Sequence, residues 1–258
     1  MKAPLLLTIF LSLHPVLHAQ AELPLDEMLL QVRRNVQESW MSLPDFVCKE
    51  KITSQAFENG KLTKTKVIES IFTAVRTRRG DTFSMNESRE VTAIDGKTVR
   101  RGTELPESPL LPDGSTANLL YASFVLDAHQ YRMTGMDDVE GRSTRRVEFA
   151  SREDQKSLIF AFEQEPFLAR DSGKAWIDPE SMQVVRLELR ILNMPGVDAF
   201  STVADYEPLV LDGRQFWLPK TVVAESAGGK GKKPGYLANF TAEYGNCRKF
   251  EVTVRIKD

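Results

Sequence analysis

Histidine is almost absent from this sequence. Of the three, His14 and His18 fall among the first 18 residues, and His129 stands alone in the remainder. A histidine-rich metal cluster is therefore excluded, and any Ser-His or Cys-His pair has one imidazole to draw on. Cysteine is nearly as scarce: Cys48 and Cys247 are the two, and there is no Cys-x-x-Cys. Phosphate-loop, Gly-x-Gly-x-x-Gly, Gly-x-Ser-x-Gly and His-Glu-x-x-His patterns are all missing. The common signatures of nucleotide binding, serine hydrolysis and zinc proteolysis go with them. Charge of one sign is not in excess, since 34 basic and 36 acidic residues leave a formal net charge of −2. That balance offers no surface to nucleic acid.

What is present begins with a targeting pattern. "MKAPLLLTIFLSLHPVLHAQA" has a basic Lys2, an apolar core from Leu5 to Leu13 and small residues at Ala19 and Ala21. It reads as a secretory signal peptide cleaved after Ala21. Its apolar core falls short of the roughly 20 residues that span a bilayer, and no later run is longer. The expected product is exported, periplasmic or extracellular. Cleavage of 21 of the 258 residues leaves 237, read as one domain over 22–258. A hydrophobic fraction of 41% beside 27% charged residues is that of a chain able to bury a core.

Residues 26–42 then carry a helical period: Leu29, Val32, Val36, Trp40 and Leu43 recur on one stripe, with Asp26 placed to cap and Pro44 to stop it. Past Phe46 the period becomes two. "VVRLELRI" (184–191) alternates Val185, Leu187, Leu189 and Ile191 with Arg186, Glu188 and Arg190, and "KFEVTVRIK" (249–257) alternates likewise. Between such runs stand Asn59-Gly60, Asp95-Gly96, Asp178-Pro179 and Asp212-Gly213, with Gly80 and Gly141 as further turn positions. These are hairpin turns joining strands with one covered and one wet face. The basic stretches "VRTRRG" (75–80) and "TVRRG" (98–102) read as solvated hairpin tips. "RGTELPESPLLPDGS" (101–115) is too rich in proline for a strand interior. It leads into a second, short apolar helix over about 115–127, capped by Ser115 and carrying Leu119, Leu120, Phe124 and Val125. "SAGGKGKKPG" (226–235) reads as a loop tip. The fold class is mainly β with two helices, α+β: a large curved antiparallel sheet with both helices on its concave face, where their apolar stripes find cover.

Three segments carry a family resemblance. "GKAWIDPESMQVVRLELR" (173–190), "DYEPLVLDGRQFWLPKTV" (205–222) and "NCRKFEVTVRI" (246–256) resemble the hairpins and closing strand of LolA-like proteins, the outer-membrane lipoprotein-sorting fold, including sigma-factor regulators of the RseB and MucB kind. "LPDFVCKEKI" (43–52) resembles the opening strand of exported bacterial proteins of this fold. The resemblance implies an open half-barrel with helices in its mouth, often holding an acyl chain. It implies no catalytic residue, no cofactor and no metal.

Two functions follow as expectations. One is a non-enzymatic carrier or sensor of a lipid, a lipoprotein acyl chain or another apolar ligand. Its candidate lining is Trp40, Leu119, Phe124, Trp176, Leu187, Leu189, Phe216 and Trp217, with peripheral membrane contact compatible. The other is an adaptor that presents the same fold to an envelope protein without a lipid pocket. His129, just past the second helix, reads as a helix-end or surface residue. Cys48 and Cys247 are expected to be bonded, because disulfides persist in exported proteins and two cysteines allow one pairing. Free buried thiols are the alternative, since Cys247 falls on the polar phase of its strand.

Overall fold

The computed structural model describes residues 23–79, 82–112, 119–125, 128–153, 158–162, 165–192, 194, 196–228 and 235–251, with side chains left aside at 78–79, 82–84, 158–162 and 165–169. The segment read as a signal peptide, Gly80, Ser115, most of the 226–235 loop and residues 252–257 lie outside the described residues.

Helix α1 spans Leu25–Ser42 and α2 spans Leu119–Phe124. The strands are β1 (Phe46–Glu58), β2 (Lys61–Arg79), β3 (Thr82–Ile94), β4 (Lys97–Thr98), β5 (His129–Val139), β6 (Arg142–Ser151), β7 (Leu158–Phe162), β8 (Glu165–Ala169), β9 (Asp171–Asp178), β10 (Gln183–Ile191), β11 (Ala199–Leu211), β12 (Arg214–Ala227) and β13 (Tyr236–Lys249). Eleven of them form one open antiparallel sheet in the order β4-β3-β2-β1-β13-β12-β11-β10-β9-β6-β5, and β7 pairs with β8 apart from it. The sheet is a meander in two halves, joined where the last strand lies beside the first.

Four of the tight turns use the same chemistry. Asn59-Gly60, Asp95-Gly96, Glu140-Gly141 and Asp212-Gly213 all have both residues at positive φ, between 48° and 79°. That is the mirror-image turn whose twist matches paired strands. The Asp178-Pro179 turn is longer. It closes with Met182 N–H on Asp178 C=O at 2.8 Å, and the Asp178 carboxylate accepts the Glu180 N–H at 2.9 Å.

One face of the sheet carries the core. Ile52, Ile68, Val147, Ile177, Leu187, Ala204, Val222 and Ala242 are buried there beside Met28, Leu29, Val32 and Val36 of α1. The helix lacks the expected Asp26 cap. Pro24 occupies that position without a side-chain bond, and Asp26 and Glu27 stand in the first turn instead, where the helix dipole favours acids. At the other end Leu43 turns extended before Pro44, as a residue preceding proline must. The free carbonyls of Trp40, Met41 and Leu43 accept bonds of 2.6–2.7 Å from the Arg76 guanidinium. Arg76 is thus not a solvated hairpin tip. It reaches from β2 to cap a helix that has no basic residue in its own last turn.

The proline-rich segment is irregular and covers the β1–β3 end of the core face. Leu110 is fixed to Ser54 by two bonds, Oγ to C=O at 2.6 Å and N–H to Oγ at 3.0 Å. Helix α2 wedges between α1 and the β5 edge. Tyr121 meets Trp40 with ring centres 5.4 Å apart, and Phe124 stacks on Tyr131 at 5.9 Å.

The closing strand differs from expectation. It runs over Tyr236–Lys249, so Cys247 lies near its end rather than its start. Beyond it, the Phe250 N–H bonds Asp45 C=O at 2.8 Å.

Candidate functional site

Between α1, α2 and the sheet the core does not close. A cavity of about 60 Å³ remains, walled mainly by aromatic rings: Trp40, Tyr121, Phe46, Phe72, Tyr206, Trp217 and Tyr244, with Val36 and Leu218 between them. Helix α1 supplies more of its wall than α2; of the elongated groove expected along residues 115–127, 115–118 and 126–127 lie outside the described residues. The cavity's volume is less than half of the roughly 150 Å³ that holds a benzene molecule in a core cavity. Ser39, Gln183 and Trp217 are shared with a polar depression of about 210 Å³, flanked by Asn35, Glu38 and Arg214. The void therefore has an apolar floor and a polar mouth.

The strands explain the wall. On β1, even-numbered residues face the core, which places Cys48 in the cavity lining beside Phe46. Cys48 is bonded to Cys247, with Cα atoms 4.0 Å apart. The phase objection is met by a bulge. Pairing of β1 with β13 shifts register between Val47 and Lys49, and Asn246 adopts φ 53°. Two residues then oppose one, and Cys247 is re-aimed toward the core face.

Tyr206 follows Thr202 and Ala204 on the covered face of β11. It stands opposite Pro219, next to a register shift after Asp205. A proline in a central strand needs such an irregularity, because it cannot donate to the ladder. The Tyr206 hydroxyl is buried and has no hydrogen-bond partner among the described residues. Burial, then the neighbouring Asp205 charge, pushes the phenol up, so it stays protonated.

A buried charge cluster lies behind the wall. Glu50 occupies the core phase of β1, opposite Ser70 of β2 and Tyr244 of β13. Its carboxylate accepts Ser70 Oγ–H at 2.6 Å and Arg89 Nε–H at 2.9 and 3.1 Å. The Arg89 guanidinium lies 5.1 Å from the centre of the Phe72 ring. Burial would lower Arg89, but the Glu50 charge and hydrogen bond outweigh it and hold the guanidinium above its ordinary value.

The eight residues expected to line a site separate into groups. Trp40 and Trp217 are brought together in the cavity wall. Leu119, Phe124, Leu187, Leu189 and Phe216 are buried in the surrounding core. Trp176 is on the opposite face of the sheet, with Val139 and Val185. Alternation on β9 causes this: Ala175 and Ile177 face the main core, so Trp176 between them cannot. Its indole N–H donates to Asp137 at 2.9 Å. Tyr206, Tyr121 and Tyr244 were not among the expected lining residues.

His129 is neither a helix-end nor a surface residue. It opens the edge strand β5, and its side chain is wholly buried. Nε2 lies 3.0 Å from both Asp171 oxygens, and Ser151 Oγ–H donates to the same carboxylate. A nucleophilic triad needs the imidazole between acid and hydroxyl. Here the carboxylate is in the middle, and no bond joins His129 to Ser151 among the described residues. The cluster ties β5, β6 and β9 together.

The arrangement is an open antiparallel sheet with helices packed over one face. The structure is similar to a DUF1329 family protein from Desulfovibrio piger, with 12% identity, 88% of this chain and 93% of that one covered, and a TM-score of 0.42. It is similar to a LolA superfamily protein from Nitrosomonas europaea, with 8% identity, coverage of 88% and 94%, and a TM-score of 0.39. A Vibrio parahaemolyticus domain described as an outer membrane lipoprotein-sorting protein gives 10% identity, coverage of 85% and 91%, and a TM-score of 0.40. No protein-family model matches the chain, and no curated protein matches it in sequence.

Proposed function

We propose that this chain is an exported, non-enzymatic binding protein that takes the apolar part of a lipid, a lipoprotein or a similar amphiphile between its helices and its sheet. The observation that carries the reading is the aromatic-walled cavity between α1, α2 and the sheet. Interiors are normally close-packed, and burying each ligand methylene there contributes about 0.8 kcal/mol. The polar mouth beside Gln183 and Ser39 suits the head of an amphiphile. At about 60 Å³ the cavity is a starting point. A chain of several methylenes enters by displacing Tyr121 and Trp40, which belong to the short α2 and the last turn of α1. Export, with cleavage after Ala21 and one domain over 22–258, accords with the disulfide, which persists outside a reducing cytosol.

The test is native mass spectrometry and lipid extraction on protein purified from the compartment to which it is exported. Titration with a fluorescent naphthylamine runs alongside, read through Trp40 and Trp217. Bound lipid and saturable probe binding are expected, and Leu120→Trp, which fills the cavity, reduces both. Absence of lipid and of saturable binding in the folded wild type removes the carrier reading and leaves the envelope adaptor.

A further inference from the structure

Resting on that reading, we infer that the ligand seats an acyl carbonyl, an ester or amide oxygen, against the Tyr206 hydroxyl inside the cavity. A bare hydrocarbon tail is the ligand this excludes. Tyr206 is 7% exposed and forms part of the cavity wall. Its hydroxyl has no hydrogen-bond partner among the described residues. Native cores pair such groups almost without exception, because an unpaired donor in apolar surroundings is costly. Phe46, Phe72, Trp40 and Trp217 make the wall around it largely apolar, while Ser39 and Gln183 stand at the mouth shared with the polar depression.

Chemistry narrows the occupant. Burial raises the phenol, so the group is an O–H donor at any physiological pH and carries no negative charge. It therefore offers its proton to an acceptor and no negative charge to a cation. A carbonyl oxygen is the acceptor that an otherwise apolar acyl compound carries. Filling the cavity with hydrocarbon alone would leave the hydroxyl unpaired in the complex as well. Specificity follows from the same asymmetry: a site with a buried donor rejects the analogue that lacks the acceptor.

The experiment uses two matched amphiphiles, 1-dodecanoylglycerol and 1-O-dodecylglycerol, which share chain and head and differ by one carbonyl. Their affinities are measured by displacement of the naphthylamine probe from wild type and from Tyr206→Phe. Wild type is expected to prefer the ester by roughly three- to tenfold, the range of one net hydrogen bond. Tyr206→Phe is expected to lose the preference, its affinity for the ester falling towards that for the ether. Its unfolding midpoint should equal or exceed that of wild type, because the substitution deletes an unpaired hydroxyl. Equal binding of both amphiphiles by wild type, or a preference that survives in Tyr206→Phe, overturns the inference while the carrier reading stands. A destabilised Tyr206→Phe also overturns it, since the hydroxyl would then be paired without ligand. Binding of neither amphiphile by wild type is the different outcome that removes the carrier reading itself.

Discussion

Cys48 and Cys247 are bonded across the pair formed by the first and last strands, at the register shift between Val47 and Lys49. The bond closes a loop of 199 positions. Denatured, unreduced protein should show no free thiol by thiol counting. Converting both cysteines to serine should lower unfolding stability by about 2–5 kcal/mol, the upper end being the chain-entropy value for so long a loop. Denaturant midpoints measured with and without reductant check both statements.

Gly173 lies under the ring of Phe149 on the core face. A Cβ at Gly173 would meet the Glu188 carbonyl oxygen and the Phe149 ring closer than any real contact. Gly173→Ala should therefore cost about 1–3 kcal/mol through forced shifts of packed atoms. Gly245, in β13, has open space around its would-be Cβ and an ordinary φ. Gly245→Ala should be close to neutral. Paired urea titrations decide it, and equal effects at the two positions would contradict the steric account.

Much of the architecture is legible in residue order. The Asn-Gly and Asp-Gly turns, the period-two runs and the first helix name themselves. So does the pairing of the two cysteines. The cavity wall is less legible, for reasons of phase. Trp176 shares a motif with Ile177 but alternation sends it to the other face, and no composition signal tells which face is which. Tyr206 could have been found by extending the Thr202-Ala204 phase by one step. Glu50 and Arg76 could not. Each is a charged residue in an alternating run, and only three-dimensional partners, Arg89 and the end of α1, convert them from solvated to structural. His129 misleads in the same way, because Asp171 and Ser151 are 42 and 22 positions away.

The Glu50–Arg89 pair should behave as a buried ion pair. The side chains are 0% and 6% exposed. Arg89→Met alone strands the Glu50 carboxylate and should cost about 3–5 kcal/mol. Glu50→Leu combined with Arg89→Met should recover part of that loss, because apolar replacement of a buried pair is often neutral, while Glu87, 3.8 Å from Arg89, still loses that charge. A double-mutant cycle in urea measures the difference. A double variant as unstable as the single would show that the pair adds net stability.

Acid should loosen the outer face first. The Trp176 indole hydrogen bond, then Arg146 at 2.8 Å, holds the Asp137 carboxyl below the usual carboxylate range. Asp95, bonded by Lys66 and the Val67 amide, is lowered likewise. For such groups the folded value lies below the unfolded one. Their contribution is present above the unfolded value, near pH 4, and is lost as pH falls through the folded value. Stability should fall below about pH 4 with a change in Trp176 fluorescence, and Asp137→Asn should remove that optical change.

The position of β13 has a consequence for how the chain is made. Among the described strands it comes last in chain order, yet its place is in the middle of the sheet, between β1 and β12. Until residues 236–249 arrive, β1 presents one unpaired edge along its 13 residues. The halves on either side of the gap have no ladder between them. Exposed edges of this length invite pairing with other chains. Contacts joining residues some 200 positions apart also form late and slowly. Truncation that removes residues 236–249 should therefore harm this protein twice over, because it takes Tyr244 from the cavity wall and removes the keystone of the sheet, leaving β1 open to aggregation.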